Sequence, residues 1–291
     1  YCRRFIRNFE KRVGINRTVG SLRAYSNAYS HIERFLQAQY KLSDIPFSAL
    51  DRSFIDKYDL YLRTERNLAP GTIINLTVQL KTIADGIITA SPFMGYEPVR
   101  PKHVQKYLTA EELHRIMTTP LHRQPLYHVR DMFLFSCFTG IPYGDMRLLT
   151  KDNLCLAEDG IWWIKSARQK TKIEFEIPLL DLPLQILKKY SGTAPGDKLL
   201  PMYCNSTLNL YLKEIARICH IDRPLVFHAG RHTYATEITL SHGVPLETVS
   251  RMLGHSQIET TQIYAKVTDE KIDADTKALN RKISERFSVV I

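Results

Sequence analysis

No apolar run in this chain approaches the roughly 18 residues that a membrane-spanning helix needs. A signal-peptide pattern, internal repeats and low-complexity tracts are also absent. Cysteine is sparse: Cys2, Cys137, Cys155, Cys204 and Cys219 are odd in number, widely spaced and free of any CxxC pair. That excludes a disulfide framework and a paired-cysteine zinc site, and it fits a reducing intracellular compartment. Cys137, inside Met132-Phe133-Leu134-Phe135-Ser136-Cys137-Phe138, reads as a buried thiol. The chain starts at Tyr1 rather than Met, so an N-terminal segment is expected to have been removed or left out.

What the chain does have is positive charge. Its 291 residues carry a formal net charge of +10. An excess of Lys and Arg favours an anionic partner, nucleic acid first and an acidic membrane surface second. The plain alternative is an unspecialised basic surface. Residues 1–100 hold 15 basic and 9 acidic side chains, and the remainder holds 25 and 21. Both parts are positive, so one long polyanion can touch both. The length suggests two domains, and 44% hydrophobic content is enough for packed cores.

Residues 1–91 read as a helical bundle. Leu22, Tyr25, Tyr29, Ile32 and Phe35 recur at helical spacing. Phe54, Tyr58, Leu60 and Leu62 mark a second helix, and Ile73, Leu76, Leu80, Ile83 and Ile87 a third after Pro70-Gly71. Pro92, Pro98 and Pro101 then make residues 92–106 an extended linker. Residues 107–291 form the second domain, mostly helical. It opens on a capping box, Thr109 with Glu112. Gly160–Ile164 and Lys172–Ile177 are the β-favouring segments, with Arg168-Gln169-Lys170-Thr171 between them or opening the second. Asp181, with Pro183 in the first turn, starts one helix, and Asn205 or Ser206 starts another that ends near Cys219.

The chemistry concentrates within 37 residues, His228 to Tyr264. His228 and Arg231 are i and i+3 on helical sequence, so they share a face. A guanidinium fork matches phosphate oxygens, and an imidazole handles a proton near neutral pH. Alone, the pair is more often an ordinary surface pair. Val244–Leu253 reads as a helix stopped by Gly254. His255 follows, then Ser256-Gln257-Ile258-Glu259 as a second capping box, which places Tyr264 about two turns into the next helix. The chain has 15 tyrosines, and singly each is most simply a packing residue.

Together, HxxR at His228 and Arg231, Leu253-Gly254-His255, and a tyrosine nine residues later closely resemble the tyrosine recombinases, or phage-type integrases. Thr139-Gly140-Ile141 matches the family's first box, and Ile177-Pro178-Leu179 the segment after its β-hairpin lysine. Phe135-Ser136-Cys137-Phe138 and Tyr143-Gly144-Asp145 give it the flavour of integrases from Bacteroides-type mobile elements. The resemblance spans residues 1–270 or so. It implies a mainly α, two-domain DNA clamp: a helical core-binding domain plus a mixed α/β catalytic domain with a small sheet. It also implies site-specific cutting and rejoining of DNA through a 3′-phosphotyrosyl link, for integration or excision of a mobile element. No metal or cofactor is implied, since the covalent step conserves the phosphodiester's energy. Tyr264 would be the nucleophile and Arg231 the phosphate clamp. His228 would assist proton transfer or hold the phosphate, His255 would bind a phosphate oxygen, and Lys170 would be the general acid, with Lys172 as its neighbour alternative. The implied partners are duplex attachment sites, a DNA-dependent homotetramer and accessory DNA-bending or directionality proteins, in a bacterial cytoplasm at the nucleoid. The apolar end, Phe287, Val289, Val290 and Ile291, would dock on a neighbouring protomer or on its own domain.

One departure stands out. The family's first box reads TGxR, yet here it reads Thr139-Gly140-Ile141-Pro142. A guanidinium is therefore expected from elsewhere: Arg130 first, Arg147 second. The same gap keeps alive a cleavage-deficient DNA-binding regulator. A type IB topoisomerase, which shares the phosphotyrosine chemistry, is the other rival.

Overall fold

The protein is described from a computed structural model that covers residues 1–85, 87–88, 91–100, 106–265 and 269–284. The chain divides into two compact units, Tyr1–Val104 and Gln105–Ile291.

The first unit contains α1 (Cys2–Glu10), α2 (Val19–Tyr40), α3 (Arg52–Thr64) and α4 (Pro70–Ala84). Short polar side chains start two of them. Thr18 accepts from the Ser21 amide at α2, and Asp51 from the Phe54 amide at α3, each satisfying an amide without an intrahelical partner. Pro70 opens α4, where its missing N–H costs nothing. Ala28, Ile32, Phe35 and Leu36 form the buried stripe of α2 and meet Phe54, Ile55, Tyr58, Tyr61 and Leu62 of α3. Phe35 lies 5.2 Å from each of the Phe54, Tyr58 and Tyr61 rings. Two expectations are corrected. Leu60 points to solvent, because it lies off the stripe set by Phe54, Tyr58, Tyr61 and Leu62. Residues 92–96 are not an extended linker. Phe93 is buried in this core, Tyr96 donates to Asp59 at 2.6 Å, and Arg52 donates to the Met94 carbonyl. Two aromatic rings outweigh the prolines around them.

The second unit begins with α5 (Ala110–Thr118), closed by the Thr109–Glu112 capping box. α6 (Gln124–Thr139) is its central helix, apolar nearly all round, with Val129, Met132, Phe133, Phe135 and Cys137 buried. It stops at Gly140, whose φ is +69°. Only glycine fits there: a Cβ would come within 2.5 Å of the Tyr234 ring and 2.8 Å of Leu253. A short α7 (Tyr143–Met146) follows Pro142. Then comes a three-stranded antiparallel sheet, β1 (Leu154–Leu156), β2 (Trp162–Ala167) and β3 (Glu174–Pro178), with Ile164 opposite Ile177 on the core face. β1 was not expected, because three residues are too short to show alternation. α8 (Asp181–Lys189) and α9 (Asn205–Ile218) pack on α6. α10 (Ala229–Thr233) continues into a π-helical stretch, Tyr234–Thr239. α11 (Leu246–Leu253) ends at Gly254 in the left-handed conformation.

α12 (Glu259–Gln262) spans four residues only. The expected box at Ser256 does not form, because Ile258 is the cap and no side chain bonds the helix start. Tyr264 therefore sits just past a short turn of helix. α13 (Asp269–Ser284) closes the described chain. Phe287, Val289, Val290 and Ile291 lie outside the described residues. Among the described residues no helix is long and apolar enough to cross a membrane.

Candidate active site

Two helix ends supply the floor of the site. The last carbonyls of a helix have no intrahelical partner and carry the negative end of its dipole. α6 ends at Thr139 beside the Gly140 carbonyl, and α11 ends at the Leu253 carbonyl. Arg231, on α10, donates Nη1 to Gly140 O at 2.9 Å and Nη2 to Leu253 O at 2.7 Å. It is only 3 % exposed. Burial, then the neighbouring Arg168, lowers its pKa to about 10, so it stays charged at neutral pH.

Arg168, at the end of β2, reaches the same place. Its Nη1 donates to Leu253 O at 2.9 Å, and its Nε is 2.6 Å from Asp145 Oδ2. Asp145 also accepts from the Gln169 amide at 2.9 Å, which pins the β2–β3 turn against α7. Gly254 has a second duty here besides its φ of +63°: a Cβ would come within 2.9 Å of Arg168 Cγ. The Leu253 carbonyl thus serves two guanidiniums. Asp145 neutralises one of them. Arg231 rests on dipoles and an imidazole instead, and among the described residues it has no carboxylate partner at ion-pair distance.

His255 follows Gly254 directly. Its Nε2 accepts from Arg231 Nη2 at 2.8 Å, because a guanidinium only donates. That leaves the proton on Nδ1, which donates to Thr261 Oγ1 at 2.7 Å. Burial first, then Arg231 and Arg168, lowers its pKa to about 4, so it is neutral at pH 7. Tyr264 is 8 % exposed, with its hydroxyl interacting with Arg231. Burial raises the phenol's pKa, and Arg231 and Arg168 oppose that shift. Its ring lies parallel to His255 at 6.3 Å and edge-to-face with His232 at 5.1 Å. His228 is at the rim, its ring 4.8 Å from His232. Desolvation of that ring, then Arg231, Arg168 and Lys106, lowers its pKa.

Tyr264, Arg231, His255 and His228 therefore come together with Arg168 and His232, which the sequence reading had not weighed. Arg130 does not join them. It donates to the Thr119 carbonyl, lies over the Tyr127 ring at 4.8 Å and is 3.9 Å from Asp131. Its place on α6 sets it among those groups, away from Arg231. Arg147 is exposed just past α7. Lys170 is exposed at the tip of the β2–β3 turn and, among the described residues, makes no hydrogen bond or ion pair with the Arg231 group. Lys172, at φ +60°, is exposed on the same turn. Arg168 pairs with Asp145, three residues past the box that lacks its arginine.

Comparisons with known proteins address the whole chain. Residues 106–271 match the model of the phage integrase family, and residues 2–95 that of the phage integrase SAM-like domain. Tyrosine recombinase XerD of Listeria monocytogenes serovar 1/2a is 26% identical over 273 residues, covering 86% of this chain and 89% of that protein. XerD of Chlorobaculum tepidum is 28% identical over 190 residues, covering 59% of this chain and 60% of its own. The fold is shared with the Tn1549 transposon integrase in complex with circular intermediate DNA, at TM-score 0.72 and 18% identity, covering 96% and 99% of the two chains. A lambda integrase dimer bound to a core site gives TM-score 0.70 at 17% identity, covering 90% and 97%. With the first of these matches extending over more than half of its length, this chain belongs to the phage integrase family, the tyrosine recombinases.

Proposed function

We propose that this protein is a site-specific DNA recombinase that cuts and rejoins duplex DNA, serving integration or excision of a mobile element. The observation that carries it is the Leu253 carbonyl shared by Arg168 and Arg231, with Tyr264 parallel to His255, the ring that accepts from Arg231. A scissile phosphate offers two non-bridging oxygens, one for each guanidinium, and its transition state gathers the charge they face.

In this reading the Tyr264 oxygen attacks phosphorus as its proton passes to His228. The P–O5′ bond breaks and a 3′-phosphotyrosyl link forms. The leaving 5′-oxygen takes a proton from Lys170, whose exposed side chain extends from the tip of the β2–β3 turn. A 5′-hydroxyl of another strand then reverses the step. Arg168 replaces the guanidinium missing at Pro142, a role first expected of Arg130. His228, at the rim, donates to the phosphate or relays a proton. His255 was expected to bind a phosphate oxygen, but its Nε2 is engaged as an acceptor from Arg231. We assign it instead to holding that guanidinium.

Both units carry a positive sum, so both touch the duplex, and binding weakens steeply with salt. The unit Tyr1–Val104 is the core-binding domain, expected to end at residue 91, and Gln105–Ile291 is the catalytic one. Four copies act on two duplexes, assisted by DNA-bending or directionality proteins. Ile272, Leu279 and Ile283, exposed at helical spacing on α13, suit a neighbouring protomer. A cytoplasmic, nucleoid-associated location follows from such a substrate.

The test uses a random library of nicked duplexes. Trapped protein–DNA species that resist detergent are recovered and sequenced. An enriched motif joined to wild-type protein, and no adduct with Tyr264→Phe, is the expected result. Absence of any wild-type adduct across the library would overturn the proposal.

A further inference from the structure

Tyr264 is weakly tied by its own backbone. It lies past the short α12, where Tyr264 N bonds Thr261 O at 2.9 Å and Ala265 N bonds Gln262 O at 3.0 Å. Orientation of the phenol must come from the side chains around it. Two rings are available. His255 lies parallel at a centroid distance of 6.3 Å, toward the far end of the range where ring pairs attract. His232 meets it edge-to-face at 5.1 Å, within the range where such pairs attract.

His232 differs from Tyr264 in how it is anchored. It is on α10, between the buried Arg231 and Thr233. Thr233 Oγ1 bonds the Ala229 carbonyl at 2.9 Å and accepts the Leu108 amide at 3.0 Å, which locks the helix into the unit. His228, one turn earlier, meets the His232 ring edge-to-face at 4.8 Å and 84°. Among the described residues neither nitrogen of His232 has a hydrogen-bond partner, so its ring offers bulk and an edge rather than a polar bond.

We infer that His232 is the positioning residue for the Tyr264 ring: a fixed aromatic edge on α10 that keeps the phenol oxygen directed at Arg231. A reacting oxygen misplaced by about an ångström costs rate steeply, so a rigid neighbour of the ring sets the cleavage rate without touching DNA. Burial, with His228, Lys106 and Arg231 adding to it, lowers the His232 pKa to about 4 and keeps the ring neutral beside the cations. The inference rests on the strand-transfer reading above.

The experiment compares wild-type, His232→Ala and His232→Phe in the full chain. Single-turnover cleavage of a nicked duplex recovered in the library above is measured at saturating DNA, alongside the affinity for that duplex. His232→Ala is expected to cleave about tenfold more slowly at unchanged affinity, and His232→Phe to stay within about threefold of wild-type. An alanine variant as fast as wild-type would overturn the inference. So would a phenylalanine variant as slow as alanine, since the nitrogens would then carry the role. His232→Gln takes alanine's place if that variant is unstable. A second readout needs no cleavage: in protein with carbon-13-labelled tyrosine, the Tyr264 ring resonances, assigned through Tyr264→Phe, should sharpen from restricted to freely averaged in His232→Ala and not in His232→Phe. If wild-type forms no adduct but the ring signals respond in this way, the positioning role stands and the functional reading fails. Ring signals unmoved by His232→Ala would sink the positioning role alone.

Discussion

In the unit Tyr1–Val104 the interior is built from rings and aliphatic chains around Phe35, and among the described residues its buried polar side chains are His31 and Thr77. In Gln105–Ile291 the interior also encloses Asp131, Ser136, Thr139, Asp145, Arg231, Thr233, Thr239, Ser250 and Thr261. Several of these are satisfied locally: Ser136 donates to the Ile141 carbonyl at 2.8 Å, Thr139 to Phe135 at 2.7 Å, and Thr233 to Ala229. Thr139, Asp145, Arg231 and Thr261 are tied to the groups at the Gly140 and Leu253 helix ends, while Asp131 pairs with Lys189 and Tyr190. Buried polar groups stabilise little when replaced by a well-packed apolar core, yet they hold fixed geometry when fully bonded. The two units therefore divide the work. One is held by packing, and the other accepts a costlier interior to keep two guanidiniums and a phenol in register.

The largest effect that would break this comparison is in the first unit. Phe35→Ala removes a ring that touches three others, and a fully buried Phe→Ala change costs about 3–5 kcal/mol. Both tryptophans, Trp162 and Trp163, lie in the second unit. In urea unfolding of the full chain, far-UV circular dichroism should show an early transition while tryptophan fluorescence keeps its wild-type midpoint. A coincident shift of both signals would mean that the units share one cooperative core.

Next comes the contrast between Arg168 and Arg130. Removing a group that faces developing charge typically lowers the rate by about 10²–10³-fold. Arg168→Ala should lose that much in single-turnover cleavage, and Arg168→Lys should recover only part of it, because a lysine cannot bond both the Leu253 carbonyl and Asp145. Arg130→Ala should stay within about threefold, as its partners are Thr119, Tyr127 and Asp131. Equal losses in the two variants would remove Arg168 from the site.

That contrast also marks how far the sequence could be read. Local rules were enough for the Thr109 capping box, the stop at Gly254 and the helical stripe around Phe35. The spacing of His228, Arg231, His255 and Tyr264 was legible as a set. Arg168 was not, because its role is tertiary. Nothing in chain order says that the end of β2 passes over Gly254, and the only trace is that glycine's missing side chain. His232 was hidden similarly, since its neighbour Tyr264 is 32 residues away in a different element. Ser256 misled in the opposite way. Its spacing to Glu259 fits a capping box, but the chain has already bent before Ile258 and the helix starts a turn late. Phe93 and Tyr96 were written off with the prolines around them, although two aromatics in a supposed linker are themselves a packing signal.

The smallest expected effect separates the units by acid. In the second unit His232 and His255 titrate near 4 when folded, mainly through burial, against an ordinary value of 6.5. As pH falls below about 6.5 the unfolded chain takes up protons at these two sites and the folded chain does not, so stability declines from there down to about 4 and is level above. In the first unit Asp59 and Glu33 have pKa values below the ordinary carboxylate range. Asp59's burial opposes that shift and its bonds to Arg63 and Tyr96 overcome it, while Arg3 and Tyr29 hold Glu33 down. Their contribution is lost only at more acid pH, below the ordinary carboxylate values. His31 is the one buried imidazole among the described residues there, its pKa lowered by burial and by Arg34 and Arg66. Between pH 7.5 and 5 the urea midpoint read by tryptophan fluorescence should therefore drop further than the early circular dichroism transition of the Phe35→Ala chain. Replacing these two histidines, as His232→Phe with His255→Gln, should make the fluorescence profile shallower over that window, with His128 and His228, also lowered mainly by burial, keeping the remaining slope. A wild-type profile already flat from pH 7.5 to 5 would mean that these rings meet water more freely than their neighbours imply, and the phenol beside them would then lie in a wetter pocket than its 8 % exposure indicates.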